Sequence, residues 1–187
     1  MSGAATHRLA ITPGKSGWDV RRARRSDAAA VATGVAALLC ELGATPPSHT
    51  SIEAEARAHI DDPSLGIVLI ATADATSSQK WSDSDGKCEL AGGGRLVGVL
   101  TASWARAIQV PGRMLTIEVL WTRREWRGRA VGAGLVDALA EAAVDAGAGR
   151  VEVGLPRESF EALRATERFY LANGFERLGP RMRKALS

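Results

Sequence analysis

Cysteine, histidine and tyrosine are scarce in this chain, and each scarcity excludes something. The two cysteines, Cys40 in a helical apolar pattern and Cys88 in a polar loop, are too few and too far apart for a disulfide framework. The three histidines, His7, His49 and His59, are scattered, with no HExxH spacing and no Cys/His cluster, so no metal is expected. No cysteine or serine has a histidine placed to activate it, which argues against a covalent intermediate. Long apolar runs are also missing. Stretches such as Ile67–Ala71 are far too short to span a bilayer, and no membrane association is expected. The first residues carry one arginine and no apolar core of a leader, so a cytoplasmic protein is the default expectation. Basic and aromatic residues do not alternate, and no helix carries a contiguous basic stripe beyond the small tail of Arg181, Arg183 and Lys184. No nucleic-acid partner is expected.

What the chain does have is the balance of a soluble globular protein: 187 residues, 45% hydrophobic and 24% charged. That length suits one domain with a full-sized core. The net charge of +3 fits a small polyanion such as a nucleotide cofactor, or simply a solvated surface. Residues 1–17, rich in Gly, Ala, Ser and Thr, read as a flexible tail, and 18–187 as the domain.

Within the domain, 18–23 alternates like a strand. Ser26-Asp27 offers an N-cap to a helix whose Val31, Val35, Leu38, Leu39 and Leu42 share a face, ended by Gly43. Thr50-Ser51-Ile52-Glu53 reads as a capping box for a second helix running to about Ile60. Strands follow at Ile67–Thr72, Arg95–Trp104 and Met114–Trp121. The first two are separated by a long polar loop at 73–94, where Trp81 is either a lid residue or part of a merely mobile connection. A helix places Val131, Leu135, Leu139 and Ala142 on one stripe, a strand follows at 150–155, a helix from Ser159 to Asn173, and a last strand near Met182–Leu186. The order β-α-α-β-β-β-α-β-α-β predicts an α/β (α+β) fold: a central mixed sheet with helices on both faces.

The stretch Trp126–Gly134, "WRGRAVGAG", opens the third helix with three glycines and two arginines. A glycine within a helix costs about 1 kcal/mol relative to alanine. Two readings explain the concession. Glycines after a strand and before a helix let a phosphate approach the open N–H groups, where Arg127 and Arg129 add charge. Alternatively, small residues let the helix pack tightly on the sheet. The spacing is not GxGxxG and no Gly-Lys-Ser/Thr follows, so neither the dinucleotide fingerprint nor a triphosphate loop fits.

The segment "LWTRREWRGRAVGAGLVDAL" (120–139) resembles the acetyl-CoA-binding segment of the GNAT superfamily of N-acetyltransferases. Arg127 stands at the Q/R of its Q/R-x-x-G-x-G/A pattern and Gly132 at the final Gly/Ala. Ala130 replaces the middle glycine and Arg124 a frequent proline; the alanine suits a position that is already helical. "RFYLANGFERLG" (168–179) is similar to the family's F-Y-x-x-x-G-F-x-x-x-G, and "VRRARRSDAAAV" (20–31) resembles its opening strand and helix. The resemblance covers residues 18–187 apart from the loop at 73–94, and implies the GNAT fold, with a mostly antiparallel sheet of six to seven strands.

It also implies the chemistry. An amine would attack the thioester of acetyl-CoA directly, which needs orientation, a route for the amine proton and a donor to the leaving thiolate. Cofactor contacts are implied for Leu120, Trp121 and Thr122 on the strand, and for Arg127, Gly128, Arg129, Ala130, Gly132 and Ala133 at the helix start. An N–H near Leu120 would stabilise the thioester oxyanion. Glu118 is the one carboxylate on the strand at 114–122 and alternates with Leu120 and Thr122, so the three share a face. The resemblance makes it a base or water-positioner; a substrate-orienting or structural carboxylate is the alternative. Tyr170, the only tyrosine, matches the family tyrosine four residues before Gly-Phe. It would protonate the thiolate, or else pack on pantetheine as a buried ring. Glu41, Glu53, Glu55, Asp61 and Asp62 either draw a cationic amine to the site or are solvated helix faces. Trp104 and Trp126 either line the acceptor side or pack. The resemblance leaves the amine unidentified and a homodimer open. The rival reading is a non-catalytic acyl-CoA-binding regulatory module, against which Glu118 and Tyr170 both speak.

Overall fold

A computed structural model describes residues 17–73, 90, 93–106, 108 and 112–179. Five strands among these residues form one sheet in chain order: β1 (Trp18–Arg22), β2 (Gly66–Ala73), β3 (Arg95–Ala105), β4 (Arg113–Thr122) and β5 (Ala148–Val153). All neighbours are antiparallel except β4 and β5, which run parallel because the helix α3 (Val131–Asp145) crosses over between them. The sixth strand expected near Met182–Leu186, most of the loop at 73–94 and all but the last residue of the tail at 1–17 lie outside the described residues.

The sheet separates two apolar layers. Along β2, Ile67, Leu69 and Ala71 face one way and Val68 and Ile70 the other, as the two-residue period of a strand requires. The first set packs with Val131, Leu135, Leu139 and Ala142 of α3 and with Tyr170 of α4 (Leu163–Ala172). The predicted α3 stripe is therefore the buried one. The second set packs with Ala28, Ala30 and Val31 of α1 (Ala28–Glu41) and with Ala56 of α2 (His49–Asp61).

Four boundaries differ from the sequence reading. Ser48, not Thr50, caps α2: its hydroxyl accepts from the Ser51 N–H, so the helix starts at His49. Asp27 precedes α1 but does not cap it. Its buried carboxylate accepts a bidentate fork from Arg21 (2.6 and 3.0 Å) and the Arg24 N–H (2.7 Å), fixing the corner between β1 and α1. Burial opposes its ionisation, but the Arg21 and Arg24 bonds outweigh burial and hold the carboxyl below its usual range. The expected strand at 150–155 is β5, shifted two residues earlier, and turns occupy the start of the predicted last helix, which begins at Leu163.

Candidate active site

The site begins where two paired strands part. β4 and β5 pair from Arg113 and Ala148 to Ile117 and Val153, with one register shift after Arg113, and there the ladder ends. β4 runs on for five residues to Thr122 with no strand beside it on that edge among the described residues. Glu118 is the first residue past the last pair. It is also the extra residue of a β-bulge: Thr101 of β3 pairs with Val119 and Ala102 with Ile117, leaving Glu118 without an opposite number. The sequence gives no sign of this bulge. Val119 and Trp121 pack toward α1 and α2, whereas Leu120 packs toward α3. Ile117 and Leu120, three residues apart, both pack toward α3, so the bulge breaks the alternation at the exposed Glu118 and the period of two no longer sets its face.

The main chain of the freed edge follows from one hydrogen bond. The Arg123 N–H donates to the Val97 carbonyl of β3 at 2.9 Å. Counting back in twos, the N–H and C=O groups of Thr122 and Leu120 point away from β3, toward the opening. Arg127 corroborates the direction, because its Nε donates to the Thr122 carbonyl at 3.1 Å. The Trp121 side chain is directed elsewhere: it is buried on the α1 side, where a Cβ on Gly34 would stand 3.1 Å from its ring.

Beyond Thr122 the chain makes a 3-10 turn (Arg124–Trp126) and then a tight turn into α3. Gly128 has φ +75° and open space where a side chain would be. Ala130 has φ 59° and ψ 10°, the one non-glycine residue with positive φ among those described. An alanine held there is strained by about 1 kcal/mol. The condition under which an alanine suits this position, an already helical backbone, is not met: Ala130 caps α3 in the left-handed region, as the glycine it replaces would do without strain. The Gly134 N–H closes the first turn on the Ala130 carbonyl at 2.9 Å. The N–H groups of Val131, Gly132 and Ala133 therefore form the open end of the helix.

The two glycine readings divide between residues. A Cβ on Gly134 would meet the Trp18 ring at 2.4 Å, so this glycine serves packing. Gly128 faces open space and leaves the turn approachable. Gly132 lies between: an added Cβ would come within 3.3 Å of the Phe169 ring and 3.7 Å of the Thr122 hydroxyl. The end of β4, the first turn of α3 and α4 therefore meet. Tyr170 follows Phe169 on α4, its ring edge-on to those of Phe169 and Phe175, both with centroids 5.2 Å away. Burial pushes its phenol up to about 12.

The arginines are engaged. Arg127 donates through Nη2 to both oxygens of Glu41, at the end of α1, at 2.7 Å. The Arg129 guanidinium stands 5.0 Å from the centroid of the buried Trp126 ring. Three of the other early carboxylates are committed locally: Glu53 to Arg57 and His49, Asp61 to Arg25, and Asp62 to the Ser64 N–H. Trp126 is a core residue, and Trp104 bonds the Pro63 carbonyl and stacks under Arg113, at the opposite end of β4 from Thr122. Trp18, read only as part of a strand, proves to touch the turn: its indole N–H donates to the Arg129 carbonyl at 3.1 Å.

A cleft of ≈ 940 Å³ lies elsewhere, between α3, β5 and α4, and touches Tyr170 but none of residues 118–133. Phe169 links the two regions, its ring lying against Tyr170 and close to Gly132 at the start of α3. Among the described residues, no group of three His, Cys, Asp or Glu could hold a metal ion. No helix among the described residues is long and apolar enough to cross a membrane.

The family model of the acetyltransferase (GNAT) family matches residues 55–175, more than half of the chain. The chain belongs to that family. As a member it is an acyltransferase, with the mixed sheet and flanking helices of the GNAT fold. No curated protein matches it significantly. Solved structures share the fold at low identity. A possible acetyltransferase from Clostridium difficile 630 superposes with TM-score 0.68 at 13% identity, covering 91% of this chain and 98% of the other. A putative acetyltransferase from Arthrobacter sp. FB24 gives 0.63 at 20%, covering 99% and 96%. The aminoglycoside N-acetyltransferase AAC(6')-Iy in complex with CoA gives 0.68 at 15%, covering 94% and 98%.

Proposed function

We propose that this GNAT member is an N-acetyltransferase that moves the acetyl group of acetyl-CoA directly to a primary amine. The observation that carries the reading is the parting of β4 and β5 after Ile117 and Val153, which opens an edge leading straight to the α3 turn. The residues present fit the cosubstrate: the open edge offers main-chain groups to an amide-bearing arm, and the approachable turn at Gly128 with the open N–H groups of α3 offers an anion site. Acetyl-CoA supplies an acetyl thioester, activated toward attack by nitrogen.

The chain's own groups then have separate tasks. The Leu120 N–H points into the opening and is placed to donate to the acetyl carbonyl oxygen as charge develops there. Glu118, exposed at the bulge beside the opening strand edge, accepts the amine proton directly or through a water. Tyr170 donates a hydrogen bond from its phenol to the sulfur as the C–S bond breaks. With its phenol pushed up to about 12, Tyr170 is fully protonated at neutral pH, so it is always ready to donate. The same shift makes it a weaker acid than a thiol, whose usual range is near 8.5. Its contribution is therefore a hydrogen bond that strengthens as the thiolate forms, with solvent completing the proton transfer. Turn N–H groups and Arg129 hold the phosphates.

The test is release of free thiol from acetyl-CoA against a panel of amines. Aminoglycosides belong on it because AAC(6')-Iy, a fold neighbour, is an aminoglycoside N-acetyltransferase. Amine-dependent thiol release with an acetylated product supports the reading. Binding of acetyl-CoA without release for any amine would leave a regulatory module in its place.

A further inference from the structure

Trp18 stands at the start of β1, 111 residues before Arg129, yet its Nε1–H donates to the Arg129 main-chain carbonyl at 3.1 Å. That carbonyl belongs to the peptide joining Arg129 to Ala130, the residue held at φ 59°. A trans peptide is planar, so its C=O and N–H point in opposite directions. Fixing the Arg129 carbonyl toward the indole therefore fixes the Ala130 N–H away from it. The same ring bears on the next turn of α3: a Cβ at Gly134 would come 2.4 Å from its Cη2 and 2.8 Å from its Cζ3. One side chain thus holds the turn by a polar contact at Arg129 and the helix by an apolar contact at Gly134.

We infer that Trp18 is a positioning residue for the phosphate-bearing end of the cosubstrate. Its indole keeps the Arg129–Ala130 peptide turned so that the Ala130 N–H points away from β1. It holds that geometry against the preference of an alanine for negative φ. The inference rests on the reading of the 127–133 turn as the phosphate site. A glycine at 130 would occupy the left-handed region unaided; with alanine there, the turn depends on an outside tether. The tether acts on binding, through the turn, and touches none of the reacting atoms.

The test is Trp18→Phe, which keeps a smaller aromatic ring, removes the indole donor and gives up the Cη2 and Cζ3 contact with α3. Coenzyme A and pantetheine, which lacks the phosphates, are titrated calorimetrically into wild type, Trp18→Phe, Ala130→Gly and the double variant. Loss of one neutral hydrogen bond predicts that coenzyme A binds Trp18→Phe about five-fold more weakly, while pantetheine binds unchanged. In the Ala130→Gly background the effect of Trp18→Phe should fall below about two-fold, because glycine needs no tether. An equal loss for both ligands, no loss for coenzyme A, or an undiminished loss in the Ala130→Gly background overturns the inference. A wild-type protein that binds coenzyme A no better than pantetheine overturns the phosphate site itself, and the inference with it.

Discussion

Glu41 and Arg127 lie 86 residues apart and meet with both carboxylate oxygens 2.7 Å from one guanidinium nitrogen. The pair ties the end of α1 to the turn before α3. Both side chains are nearly half exposed, so the pair contributes about 0–1 kcal/mol to stability. Its larger effect is on ligand charge, since Glu41 places a negative group beside the proposed phosphate site. Glu41→Gln is expected to tighten coenzyme A binding about two- to five-fold at low salt, with the gain shrinking as salt rises. Titration at two ionic strengths checks this. Weaker binding in the variant would make Arg127 a tether whose loss disorders the turn.

Ala130→Gly is expected to stabilise the folded protein by about 1 kcal/mol, because glycine adopts the left-handed conformation without strain. The gain is offset in part by glycine's greater freedom in the unfolded chain. Denaturant unfolding of the two proteins reads the difference directly. A destabilised variant would mean that Ala130 does not occupy that conformation in solution.

Gly134→Ala discriminates packing from propensity. Alanine is favoured over glycine inside a helix by about 1 kcal/mol. Here the added methyl would overlap the Trp18 ring, with a contact of 2.4 Å. Overpacking costs about 1–3 kcal/mol, so the expected net change is destabilising by about 1 kcal/mol. A raised Tm would show that α3 does not rest on Trp18 as described.

These positions also show what the sequence could and could not reveal. The α3 stripe at Val131, Leu135, Leu139 and Ala142 was legible because burial follows the helical period. The strands β2 and β3 were legible for a different reason, as short continuous apolar runs, because both of their faces are buried. Strand ends and helix starts were less so: Ser48 won the α2 cap over Thr50, and either hydroxyl reads alike in a list of residues. The bulge at Glu118 depends on how Thr101 and Ala102 pair with the facing strand, and pairing register is a long-range property. The contacts of Trp18 with Arg129 and of Glu41 with Arg127 likewise join distant segments, with no local periodicity to announce them.

Glu118→Gln keeps the size of the side chain and removes its basicity. With a proton acceptor lost, kcat is expected to fall about 10²- to 10⁴-fold. Coenzyme A affinity should stay within about two-fold of wild type, since the group acts on the amine and not on the cosubstrate. A raised KM for the amine with kcat unchanged would leave Glu118 as a substrate-orienting carboxylate.

Tyr170 offers a test in which binding, rate and stability separate. It is the chain's only tyrosine, so the tyrosinate absorbance near 295 nm follows this one group. In the native protein its midpoint should lie near 12, against 10 for an unburied phenol. Between those values the unfolded chain has lost the proton that the native protein still holds. Native stability is therefore full below about 10 and falls as pH rises through the interval. Tyr170→Phe removes that alkaline loss and keeps the ring between Phe169 and Phe175. It should lower kcat by about 10²-fold while coenzyme A affinity holds. Below pH 10 the wild-type rate profile should show no limb from this residue. An unchanged kcat in the phenylalanine variant, measured where chemistry limits turnover, would leave water as the donor to sulfur and Tyr170 as a packed ring whose hydroxyl is incidental to catalysis.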